Sequence, residues 1–61
     1  MDINKQDRDG YTKLHHASKK GDMAEVRRLL AAGAGADCAS NYGITPLHLA
    51  ASAGHVDIVR L

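Results

Sequence analysis

Four histidines, His15, His16, His48 and His55, and one cysteine, Cys38, are the side chains of this chain with metal-binding or acid–base chemistry to offer. Their spacing argues against both. His15 and His16 are adjacent, so on a helix they point about 100° apart and share no ligand face. Cys38 forms neither a C-x-x-C nor an H-E-x-x-H pattern with any neighbour, and zinc would need four ligands converging from separate turns. Nucleophiles fare no better. Ser18, Ser40 and Ser52 lack the strand–elbow–helix setting of an activated serine. Gly33-Ala34-Gly35 follows no strand, as a dinucleotide-binding loop would require. No catalytic residue, metal site or cofactor is expected, and the chain is read as a non-enzyme.

The histidines make better sense as parts of helix starts. Thr45 suits an N-cap, and Pro46 falls at the first helical position, where a missing N–H costs nothing. His48, three residues after the cap, can reach back to Thr45 as Glu does in a capping box. Leu47, Ala50 and Ala51 form an apolar stripe, and Gly54 stands where a left-handed residue ends a helix. Thr12, His15 and Gly21 repeat the arrangement, predicting a helix from about Lys13 to Lys20. In both turns the imidazole is expected to bridge its threonine and the backbone of a neighbouring loop. Thr12, His15, Gly21, Thr45, Pro46, His48 and Gly54 are therefore structural residues.

A second helix should open with Asp22-Met23-Ala24-Glu25 as a capping box, its carboxylates favoured by the helix dipole. Met23, Val26, Leu29 and Leu30 would form its buried face, with Arg27 and Arg28 outward. Gly33 ends it, and Gly35 adds flexibility to the following turn. Val56 to Leu61 begins a fourth helix that stops before an apolar pair equivalent to Leu29 and Leu30.

The chain repeats itself. Sliding the sequence along itself until Gly10 meets Gly43 pairs Thr12 with Thr45, Leu14 with Leu47 and His15 with His48. The same shift pairs Ala17 with Ala50, Gly21 with Gly54, Val26 with Val59 and Arg27 with Arg60, without insertion or deletion. The stretch Gly43-Ile44-Thr45-Pro46-Leu47-His48-Leu49-Ala50-Ala51-Ser52-Ala53-Gly54-His55 closely resembles the ankyrin-repeat signature, and the period matches that family. Residues 1–9, with Asp2-Ile3-Asn4, Asp7 and Asp9, resemble the hairpin that ends a preceding repeat. Residues 10–42 then form one repeat, and 43–61 form a second, incomplete one that looks cut in mid-repeat. Lys13 and Ser18 depart from the family pattern, as a terminal repeat whose outer face meets water would.

The resemblance implies an all-α repeat fold, with stacked helix–turn–helix pairs and projecting β-hairpin loops. It also implies a non-catalytic scaffold that binds another protein along its concave side. On the family pattern the recognition positions are Arg8, Asp9, Tyr11, Lys19 and Lys20 in the first repeat. In the second they are Asn41, Tyr42, Ile44, Ser52 and Ala53. Tyr11 and Tyr42 are candidate anchors, since tyrosine is enriched in binding hot spots, with hairpin packing as the competing role. The alternative function is self-association, or an excised or engineered piece, ordered when its open repeat faces are covered.

Composition narrows the partners. The chain has 61 residues and a net charge of +1, with Tyr11 and Tyr42 but no Phe or Trp. So small a charge argues against a dedicated nucleic-acid binder, and no base-reading set of Arg, Asn and Gln supports a helix–turn–helix reader. Residues 1–28 nevertheless hold seven Lys and Arg against five acidic residues. That asymmetry reads first as a solvated helix face and second as preference for an acidic partner. With one cysteine, no signal peptide and no apolar run near the ~20 residues that span a membrane, the chain is expected to be intracellular, cytoplasmic or nuclear.

Overall fold

The computed structural model describes residues 3–60. Within them lie four helices: α1 (Lys13–Lys20), α2 (Met23–Ala31), α3 (Pro46–Ser52) and α4 (Val56–Val59). The expected features of Asp2 and Leu61 lie outside the described residues. No strand occurs among the described residues, so the loops before α1 and α3 are tight turns rather than paired ribbons. None of the described helices is long and apolar enough to cross a membrane.

The helix starts are built as the cap residues dictate. Thr12 and Thr45 sit in extended conformation and complete capping boxes with His15 and His48, and Pro46 occupies the first turn of α3. At α2 the box is half made. Asp22 Oδ1 accepts from the Glu25 N–H at 3.2 Å, but the Glu25 carboxylate turns to Arg28 Nε one turn on instead of reaching back. Gly21 closes α1 in the left-handed region at φ 80°, and its N–H donates to the carbonyl of Ala17 at 3.0 Å.

The core is one thin cluster of Leu14, Ala17, Val26, Leu29, Ala34, Ala50 and Ile58, with Ile3, Met23 and Leu30 partly buried against it. Helix α1 lies at the centre, packed on α2 and on α3, while α4 packs on α3 and α2.

Three expectations are corrected here. Of the α3 stripe, Ala50 is buried, but Leu47 and Ala51 are exposed, because no described element lies over their flank. Apolar spacing marks a face suited to burial; it does not supply the neighbour that buries it. Ser18, read as an outward departure, is 1% exposed, since α1 is covered on both flanks, and only Lys13 faces water. Gly35 is a position of close approach rather than a flexible joint. Its N–H donates to Asn4 Oδ1 at 2.7 Å, and a Cβ there would stand 2.9 Å from Cys38 Sγ.

Candidate interaction surface

Two equivalent turns and the helices behind them form the surface. In the first, the Gly10 N–H donates to the Asp7 carbonyl at 2.9 Å and the Asp7 N–H to the Tyr11 carbonyl at 2.8 Å. In the second, Gly43 and Ser40 stand in the same relation, with Ser40 donating to Ile44. A side-chain oxygen braces each turn. Asp7 Oδ1 accepts from the N–H groups of Asp9 (3.0 Å) and Tyr11 (2.9 Å), and Ser40 Oγ accepts from those of Tyr42 and Ile44 (both 3.2 Å).

The two tips are laced together. Asn41 donates from its backbone to the Asp9 carbonyl (2.9 Å) and from Nδ2 to the Arg8 carbonyl (3.0 Å). Gln6 Nε2 donates to the carbonyls of Gly10 and Ala39. Gly10, at φ 86°, is required by this approach, since a Cβ would lie 2.6 Å from Asn41 N.

His15 is the deepest tie. Its Nδ1 accepts from the Thr12 N–H at 3.0 Å, which leaves Nε2 to carry the proton and donate to the Ile44 carbonyl at 2.7 Å. The expected bridge from cap to neighbouring loop is thus present at His15. The equivalent His48 makes only its Thr45 contacts and is exposed. A third tie runs from His55 Nε2 to the Lys19 carbonyl at 3.1 Å.

On this frame Tyr11 packs edge-on against His15, with centroids 5.3 Å apart, and lies beside His16 and Tyr42 at 6.1 and 6.5 Å. Tyr42 is 66% exposed, yet its hydroxyl donates to Asp9 Oδ1 at 3.0 Å. That bond to a carboxylate holds the Tyr42 phenol above its ordinary pKa of 10.0. The N–H of Tyr11 above all, joined by that of Asp9 and a contact to His16, holds the Asp7 carboxyl below 3.8 against the opposing effect of desolvation.

The ten sequence-predicted recognition residues divide accordingly. Arg8, Asp9, Tyr11, Asn41 and Tyr42 gather at the joined tips. Lys19 and Lys20 lie exposed on α1, with Ser52 and Ala53 exposed at the equivalent end of α3. Ile44 is half-buried, and its carbonyl is committed to His15. Sequence reasoning missed His16 and Leu49, which line one concavity with Tyr11 and Lys19. The signal was available, because the two are repeat equivalents at the middle of each outward helix face. Among the described residues no group of three His, Cys, Asp or Glu side chains converges to hold a metal ion.

A family model described as ankyrin repeats (3 copies) matches residues 1–61. The chain is 51% identical to mouse 2-5A-dependent ribonuclease over 79% of its length, and 40% identical to the Drosophila neurogenic locus Notch protein over 90%. It is also 40% identical to human SMC5-SMC6 complex localization factor protein 1 over its whole length. It spans only 7%, 2% and 6% of those three relatives. Ankyrin repeats generally mediate protein–protein interaction and are typically non-catalytic. With capped helix pairs recurring in register, joined tips and a family match along its length, the chain belongs to the ankyrin-repeat family.

Proposed function

We propose that this chain binds a partner protein across its joined turn tips and the outward faces of α1 and α3. Residues 10–42 and 43–61 act as consecutive repeats behind a leading turn at 1–9, in an intracellular setting. The contact residues are Arg8, Asp9, Tyr11, Lys19, Lys20, Asn41, Tyr42, Ile44, Ser52 and Ala53. Asn41, Asp9 and Ile44 hold the frame as well as face the partner.

One observation carries the reading: Tyr42 is two-thirds exposed and still fixed, by its bond to Asp9 and by the Tyr11 ring. An aromatic held in place before contact loses little side-chain freedom on binding, which is what an anchor needs. The test is a display selection of peptides on the immobilised chain, followed by Tyr42→Ala. Binding should weaken by tenfold or more, on the order of a hot-spot loss, while the thermal melt hardly moves. Equal loss of binding and stability would assign Tyr42 to the fold.

Self-association is the second reading, favoured by the exposure of Leu47, Val56 and Val59 beside one apolar concavity. It requires a mass that rises with concentration in sedimentation; a constant monomer mass would remove it.

A further inference from the structure

Every exposed residue of α1, namely Lys13, His16, Lys19 and Lys20, is a lysine or a histidine. Of their equivalents in the second repeat, Pro46 is buried, and Leu49, Ser52 and Ala53, which reach the surface, carry no charge. The two outward faces therefore differ in kind, cationic along α1 and neutral along α3. Where they meet, Tyr11, His16, Lys19 and Leu49 line a concavity, and the Tyr11 ring is held there by its contacts with His15 and Tyr42.

We infer that the partner is an extended acidic peptide segment that lays two or three carboxylates along α1 and one apolar side chain against Tyr11 and Leu49. The inference rests on the binding reading above and adds the chemistry of what is bound. Length supports it. Lys13 to Lys20 rises about 10 Å along the helix axis, the reach of about three residues of extended chain. The carboxylates nearby hold the frame and keep their charge, and Asp22 and Glu25 line a second concavity with Lys13, His16 and Lys20. Asp22 caps α2, Glu25 pairs with Arg28, and Asp7 braces its own turn while touching His16.

A nucleic acid fits less well. Tight binding to a phosphate backbone draws on roughly 6–10 cationic contacts, more than this face holds, and an apolar pocket at its edge adds nothing to phosphate recognition. An acidic peptide uses both halves of the surface.

The test is a random octapeptide display library selected on the 61-residue chain, with a labelled DNA duplex measured in parallel. Selected peptides should carry two or more Asp or Glu beside a Leu, Ile, Met or Phe. Lys19→Glu combined with Lys20→Glu should weaken them about tenfold at low salt and less at high salt, since exposed charge pairs are screened. Both side chains are exposed, and the Lys19 group that receives His55 is its backbone carbonyl, so no packing contact is lost. The reversal opposes the dipole at the last turn of α1 and should lower the melt, so binding is compared at a temperature where both variants are folded. Lys19→Gln with Lys20→Gln should fall between wild type and the reversal. Selected peptides without acidic enrichment, still lost on Tyr42→Ala, would overturn this inference and leave the binding reading standing. An empty selection, or duplex binding with a steep negative salt slope, would overturn both.

Discussion

The two helical pairs have nearly the same signals in the same order, and the structure treats them differently. Leu14 is 2% exposed and its equivalent Leu47 is 49%; Val26 is 2% exposed and Val59 is 39%. His15 bridges to the next turn, whereas His48 serves only its own cap. Ala17 and Ala50 are both buried. Burial in a stack of repeats is thus a property of neighbours: α1 packs on α3 and on the nine-residue α2, whereas α3 packs on α1 and on α4, which among the described residues is a single turn.

Matched substitutions at equivalent positions measure how much of each residue's effect comes from its neighbours. The largest difference should be at Leu14. Leu14→Ala removes a buried side chain from a core with nothing to refill it, costing about 3–4 kcal/mol. A chain of this size has a total stability on the order of 3–9 kcal/mol, so the variant should lose at least about a third of it. Leu47→Ala, on a half-exposed flank, should cost under about 1 kcal/mol. Urea denaturation followed by circular dichroism reads both. Equal losses would mean that Leu47 is covered in solution, as self-association requires.

Gly10 and Gly43 come next. Both adopt positive φ, 86° and 75°, so alanine at either costs about 1–2 kcal/mol in backbone strain. A Cβ at Gly43 meets nothing within 4 Å, while at Gly10 it runs into Asn41 N. Gly10→Ala should therefore cost at least about 1 kcal/mol more than Gly43→Ala, because the opposing atom is backbone and cannot turn aside. Equal costs would show that the tips are not packed together.

His15→Ala should cost about 2 kcal/mol, since it strands the buried Thr12 N–H and removes the donor to the Ile44 carbonyl. His48→Ala removes only an exposed capping contact and should cost about 0.5 kcal/mol. Thermal melts of the pair separate bridging from capping. If the two costs match, the bridge to Ile44 contributes nothing.

What could be read from the sequence was whatever is settled within a few residues. Thr12, His15 and Gly21 fix the two ends of α1, and Thr45, Pro46 and His48 fix the start of α3, through bonds between close neighbours in the chain. Contacts between one repeat and the next were legible only as far as the period carried them. The bridge from His15 was foreseen because the pattern recurs. Asn4 on Gly35 was not, having no local signature, and neither were Asn41 on Arg8 and Tyr42 on Asp9: the period makes those positions equivalent, but it does not say that their unlike groups bond to one another. The failed half of the α2 capping box has a similar cause. Glu25 had two partners in reach, and the sequence pattern did not rank Arg28 above the backbone. At the surface, the recognition positions came from the pattern, while the shared concavity of His16 and Leu49 needed both helices in place.

The smallest difference separates the two turn braces, and it depends on pH. Asp7 and Ser40 are equivalents, each accepting from the N–H groups two and four residues ahead, but one is a carboxylate and the other a hydroxyl. The N–H donors stabilise the ionised form of Asp7 in the folded chain, so its carboxyl titrates below the 3.8 of the unfolded chain. A lowered folded value means stability that is present above pH 3.8 and lost as pH falls through that lowered value. Asp7→Ser converts the first brace into the second. It should lower the melting temperature slightly near neutral pH, and the gap should close on acidification below pH 3.8. Ser40→Ala should cost the same at both pH values, because a hydroxyl brace has no charge to lose. A gap for Asp7→Ser that persists in strong acid would mean that the carboxylate's charge plays no part in holding the turn.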